Sequence, residues 1–138
     1  MTEGRVKTRW LLSASALFMA VLGLATTFAP QELLAAICAP DQGPVVIVVQ
    51  ATGALYLGFA MLNWMARGSL IGGVYNRPVA LANFLHFAVA AMGLVKAAWT
   101  GPPAAALVVA ALVYAAFAAG FGRVLFTHPL ARDSGSEP

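Results

Sequence analysis

The sequence predicts an all-α membrane protein, a four-transmembrane-helix bundle with a short interfacial helix after the first span. Of its 138 residues, 61% are hydrophobic and only 9% are charged, against about 45–50% apolar and about 25% charged residues in soluble domains. Four apolar runs reach the length of about 20 residues that a helix needs to cross a bilayer: 10–29, 45–66, 78–99 and 103–126. Because they fill most of the chain, we expect residues 1–138 to form a single integral membrane domain.

The first span follows a short basic leader and begins at Trp10, an aromatic residue suited to the membrane interface. Small side chains recur along it at spacings of three and four, at Ala16, Ala20, Gly23 and Thr27. This spacing places them on one helix face, where they allow the backbone of a neighbouring helix to approach closely. We therefore expect this face to pack against another span.

A short helix is predicted directly after the first span. Pro30 ends the span, and the segment from Pro30 to Ile37 has proline in its first turn and Glu32 near its amino end, both favourable at a helix start. We expect this helix to lie along the outer membrane surface or over the mouth of the bundle. The residues from Ala39 to Pro44 are typical of a turn.

The remaining three spans differ in their polar residues. The second opens with a β-branched run that favours a strand, but a lone strand in hydrocarbon leaves its backbone groups unpaired, so a helix is predicted. Its polar stripe comprises Thr52, Tyr56, Asn63 and Arg67. The third span places Asn83, His86, Ala90, Gly93 and Ala97 on one face, which we expect to be the packing face. The fourth has Ala110, Tyr114, Ala118 and Gly122 on one face, and residues 127–138 are expected to be a disordered tail.

The distribution of Lys and Arg predicts the orientation. Basic residues precede the first span, lie between the second and third, and follow the fourth, whereas the segments 30–44 and 100–102 contain none. By the positive-inside rule we expect both termini to be cytoplasmic. The expected location is the bacterial inner membrane, with the chain as a multi-pass protein. Only Lys96, near the outer end of the third span, disagrees with this orientation. The net charge of +3 is scattered over helix ends, without a basic run interleaved with aromatics, so nucleic acid is not an expected partner.

The predicted site is a set of polar residues concentrated between residues 56 and 86. It consists of Asn63, Arg67, Tyr75, Arg77, Asn83 and His86. An ionisable residue inside a membrane is expensive and marks a functional site by default, which makes His86 the central candidate. The alternative is that a neutral His86 bonds to Asn63 or Asn83 and only holds helices together.

These residue types restrict the function. The spans contain one His and no Asp or Glu, so neither a metal site nor a proton pump is predicted, and no catalytic residues or cofactors are assigned. Guanidinium groups with amides suit a small anionic, lipid-headgroup or quinone-like ligand at the cytoplasmic side. We expect an accessory, non-enzymatic membrane protein that meets the lipid bilayer and a membrane-protein partner or a second copy. The alternative is a scaffold or interaction subunit that docks partner transmembrane helices.

One resemblance concerns the first half of the chain. The first span, the Ala-Pro-Gln-Glu-Leu-Leu segment from Ala29 to Leu34 and the Gly53 to Met61 sequence of the second span resemble DoxX-like small four-helix bacterial membrane proteins of unknown function. The resemblance implies a four-helix bundle and an accessory role beside a membrane oxidoreductase. It supplies no catalytic residues.

Overall fold

The computed structural model describes residues 2–36, 43–68, 77–101 and 104–127, and every regular element within these ranges is an α-helix. The helices are α1 (Thr2–Phe28), α2 (Pro30–Ala36), α3 (Gly43–Ala66), α4 (Arg77–Thr100) and α5 (Ala105–Thr127). Four of them, α1, α3, α4 and α5, are long and apolar enough to cross a membrane. The prediction of four long apolar helices is therefore confirmed.

The helix bounds differ little from those predicted. The starts and ends of α3, α4 and α5 lie within two residues of the predicted runs. By contrast, α1 begins at Thr2, so the basic leader continues the first span as helix instead of preceding it as a separate segment. Residue 127 still belongs to α5, and the rest of the predicted tail lies outside the described residues.

The short helix α2 confirms the element predicted after the first span. The amide of Ala29 still donates to the carbonyl of Ala25 at 2.9 Å, and Leu33 N donates to Ala29 O at 3.2 Å. Proline at the start of α2 needs no donor of its own there. Pro30 and Leu34 are the buried residues of this helix, which contacts both α1 and α3.

The chain divides into two compact units, Met1–Gly68 and Ser69–Pro138. The first unit contains α1, α2 and α3, with α1 packed along α3. The second contains α4 packed along α5. The single membrane domain expected from the sequence stays a prediction.

Close backbone approach holds α1 against α3 in the first unit. A Cβ at Gly23 would lie 2.8 Å from Leu57 Cγ and 3.0 Å from Leu57 N. A Cβ at Gly53 would collide with Thr27 Oγ1 and would lie 2.8 Å from Thr27 N. Ala16 and Gly23 are buried, so the small-residue face predicted for the first span is confirmed.

The second unit buries a different face of α4 from the one predicted. The buried residues of α4 are Ala80, Asn83, Phe87 and Ala91. Gly93 and Ala97 are exposed, and a Cβ at Gly93 would meet no atom within 4 Å. The predicted face was therefore wrong for Gly93 and Ala97, although Asn83 is buried as predicted. The large ring of Phe87, which packs on α5, decides which side of α4 is covered.

The face predicted for the fourth span is confirmed on α5. Tyr114, Ala118 and Gly122 are buried, as is Phe121. A Cβ at Gly122 would lie 3.1 Å from Cε2 of Phe84, so glycine leaves room for that ring on α4.

Candidate functional site

The six residues of the predicted site fall on both units. Asn63 and Arg67 belong to the first unit, whereas Arg77, Asn83 and His86 belong to the second. Tyr75 lies outside the described residues. A pocket shared by all six residues stays a prediction. The contacts of each described residue are those with other residues of its own unit.

Asn63 is part of a hydrogen-bonded contact between α1 and α3. Its Nδ2 donates to Ser15 Oγ at 3.1 Å and lies 4.0 Å from Met19 Sδ. Ser15 Oγ in turn donates to the carbonyl of Leu12 at 3.0 Å. All four residues are fully buried. Buried polar groups need such partners, and this arrangement gives Asn63 a role in joining the two helices.

Ser15 and Met19 were not singled out from the sequence. A single Ser in an apolar run is usually accommodated by a bond to a carbonyl within its own helix, as Ser15 does. The signal that could have identified Ser15 is its spacing of four residues from Met19, which places both side chains on one face of α1.

Arg67 lies just beyond the last residue of α3 and stacks on an aromatic ring. Its Cζ atom is 3.2 Å from the centroid of the Trp64 ring. Trp64 is half exposed, and a cation–π contact at such a site contributes about 0.5–1 kcal/mol. The carboxyl end of a helix also favours a cation. Trp64 therefore holds the guanidinium at the helix end. The sequence alone did not assign this role to Trp64.

Arg77 occupies the opposite kind of helix end. It is the first residue of α4 and is exposed. The amino end of a helix carries partial positive charge, so a guanidinium adds to the positive potential there. A negatively charged group near Arg77 would be stabilised by both.

Asn83 is fully buried and bonds locally. Its Nδ2 donates to the carbonyl of Val79, one turn earlier in α4, at 2.8 Å. This bond satisfies a donor of the amide inside the unit, as buried amides require. This bond of Asn83 stays within α4, whereas that of Asn63 joins two helices.

His86 lies at the edge of an aromatic cluster formed by Phe87, Tyr114, Phe117 and Phe121. The imidazole is half buried, with its ring centroid 5.3 Å from that of Phe87 and 6.1 Å from that of Tyr114. Phe87 stacks on Phe117 at 4.8 Å and on Phe121 at 5.9 Å. His86 is thus an imidazole set beside a phenol ring and a layer of aromatic rings.

Among the described residues, no three His, Cys, Asp or Glu side chains come together. Family models, curated proteins and solved structures give no match to this chain. The DoxX-like resemblance therefore stays an expectation from the sequence.

Proposed function

We propose that this chain is a small multi-pass protein of the bacterial inner membrane that binds a small anionic, lipid-headgroup or quinone-like ligand at its cytoplasmic side. Its role is accessory and non-enzymatic. The ligand contacts are the predicted site residues, with His86 at the centre and the arginines Arg67 and Arg77 supplying positive charge.

Membrane placement is supported by the surfaces of the long helices. Large apolar side chains are exposed along each of them, including Leu17 of α1, Leu55 of α3, Val89 of α4 and Leu112 of α5. A soluble protein of this size rarely exposes such continuous apolar surface. Lipid tails would cover this apolar surface. The distribution of Lys and Arg predicts an orientation with both termini in the cytoplasm.

The observation that carries the ligand proposal is the position of His86. An ionisable ring within an apolar span is energetically unfavourable, so a residue of this kind usually has a function. Here it lies beside the rings of Phe87 and Tyr114, at the edge of the aromatic cluster, and not at a helix end. Imidazole N–H and phenol O–H groups can donate hydrogen bonds to a carbonyl oxygen, and neighbouring aromatic rings offer flat apolar surface. Together these features suit a quinone-like ring.

The arginines support the anionic end of this ligand class. Trp64 limits the positions that the Arg67 guanidinium can take, so less entropy is lost when it binds an oxyanion. Such guanidinium groups bind carboxylates and phosphates through two parallel hydrogen bonds.

A scaffold that docks partner transmembrane helices is the second candidate. It is favoured by one observation: Asn63 and Asn83 are both fully buried and bonded within their own units. Two of the six predicted ligand contacts are thereby used in packing. On this alternative, the DoxX-like resemblance points to an accessory subunit beside a membrane oxidoreductase.

Native mass spectrometry of the gently extracted full chain tests the proposal. We expect the wild type to retain a small molecule and His86→Leu to lose it while keeping its thermal stability, because the polar group and its desolvation cost are removed together. The matched control is Gln50→Leu, which removes an exposed polar side chain of α3 and should leave retention unchanged. A wild type without any retained small molecule, or full retention by His86→Leu, would favour the scaffold.

A further inference from the structure

A groove runs along the carboxyl-terminal part of α4, away from the predicted site. It is open, has a volume of about 590 Å³, and is lined by Ala91, Met92, Val95, Lys96, Trp99 and Thr100. This volume falls within the range of about 300–1,000 Å³ that is common for small-molecule sites. We call it the α4 groove.

The α4 groove is a largely apolar strip that includes the cation of Lys96. Its residues recur at spacings of three and four, so they share one face of the helix. Met92, Val95 and Trp99 are exposed, the last at 88%. Among the described residues that line the groove, Lys96 is the only charged one, and α4 contains no Asp or Glu.

The direction of α4 makes Lys96 unusual. Side chains leave a helix tilted toward its amino end. With the amino end of α4 on the cytoplasmic side, Lys96 is therefore tilted toward the middle of the bilayer, and its ammonium must turn back to reach the outer interface. An anion at the level of Lys96 would offset the cost of placing an ammonium group toward the apolar region. The positive-inside rule does not explain a lysine at this end of α4.

The carboxyl end of α4 does not itself attract an anion, because free carbonyl groups at such an end repel negative charge. The hydroxyl of Thr100 donates to the carbonyl of Lys96 at 3.0 Å. The amide of Gly101 donates to the carbonyl of Ala97, also at 3.0 Å. The attraction of an anion to this part of α4 therefore depends on the Lys96 ammonium.

We propose that the α4 groove binds an anionic phospholipid of the outer leaflet. The phosphate pairs with the Lys96 ammonium, an acyl chain lies along Met92 and Val95, and the Trp99 ring lies at the level of the headgroup, where amphipathic rings are favoured. The charge of Lys96 beside an apolar strip matches the charge and shape of such a lipid. This inference rests on the membrane placement proposed above but not on the ligand site at His86.

The test compares two lipids with identical acyl chains on the full-length protein in detergent. Phosphatidylglycerol or phosphatidylcholine is added, and native mass spectrometry reads the bound lipid and the number of subunits. We expect the wild type to retain more phosphatidylglycerol, and Lys96→Gln to lower the phosphatidylglycerol-bound fraction about fivefold, the effect of one cation near an anionic headgroup. Lys96→Arg should keep the wild-type fraction, because it keeps the charge.

Arg9→Gln is the matched control, since it removes an exposed cation from the other predicted side of the membrane. It should change lipid binding less than twofold. Equal retention of both lipids by the wild type, or an equal loss in Arg9→Gln and Lys96→Gln, would overturn the proposal. It would also be overturned if Lys96→Gln dissociated a dimer or a bound protein without changing lipid retention. The small molecule lost in His86→Leu should be unaffected by Lys96→Gln, which separates the two sites.

Discussion

Replacing Gly53 with Ala should destabilise the first unit, because no space exists for a methyl group where α3 crosses the end of α1. The added Cβ would collide with Thr27 Oγ1 and would lie 2.6 Å from Thr26 Oγ1 and 2.8 Å from the backbone nitrogen of Thr27. A hydroxyl can rotate away, but the backbone nitrogen moves only if the helices separate. Such overpacking costs about 1–3 kcal/mol.

The matched control is Gly58→Ala on the same helix. A Cβ at Gly58 would meet no atom within 4 Å, and alanine favours a helix over glycine by about 0.5–1 kcal/mol. Both variants receive that gain, so the difference between them isolates the close contact. We expect Gly53→Ala to be about 1–3 kcal/mol less stable than Gly58→Ala.

The assay is reversible unfolding in mixed detergent micelles, followed by circular dichroism. The free energy of unfolding of each variant is compared with that of the wild type. If Gly53→Ala proved as stable as Gly58→Ala, α1 and α3 would not approach each other as closely as described, and the packing of the first unit would have to be revised.

Two further predictions concern the interior of each unit. A double-mutant cycle of Asn63→Ala and Ser15→Ala should give a coupling free energy of about 0.6 kcal/mol, the average for hydrogen bonds between membrane helices; strict additivity would show that the 3.1 Å bond contributes nothing. Phe87→Ala removes a fully buried ring with four aromatic neighbours and should cost about 3–5 kcal/mol in unfolding free energy. Phe126→Ala removes an exposed ring with one aromatic pair and should cost about 0.5–1.5 kcal/mol. Equal costs in the two variants would contradict this assignment of the α4–α5 contact.

The fold follows from the sequence more closely than the packing does. Hydrophobic length and proline position determine where α2 to α5 begin and end, and these signals are local. The start of α1 was missed because the charged leader has no apolar periodicity, although its residues can extend a helix that already exists.

The packing faces depend on contacts that a single sequence pattern does not contain. On α1 the small residues are themselves the contact, so Gly23 and Ala16 were placed correctly. On α4 a similar stripe gave the wrong face for Gly93, because Phe87 fills the space beside Phe117 and Phe121. In a helix that is apolar on all sides, the side that packs is decided by shape complementarity with its neighbour.

For the site, the sequence identified the polar residues but not the residues that they contact. Polar residues in apolar spans were recognisable as exceptions, but their partners were not, because Ser15, Trp64 and Tyr114 are common residues at such positions. The described contacts give Asn63 and Asn83 roles in packing. They place His86 beside aromatic rings. The ligand itself stays a prediction.

The most direct test of the account is the membrane topology, because the ligand site and the lipid site both depend on it. Green fluorescent protein and alkaline phosphatase are fused in parallel after Pro138 and after Ala36, since the first fluoresces only in the cytoplasm and the second is active only outside it. We predict fluorescence without phosphatase activity after Pro138, and phosphatase activity without fluorescence after Ala36. Phosphatase activity after Pro138, or fluorescence after Ala36, would contradict a four-span protein with both termini in the cytoplasm.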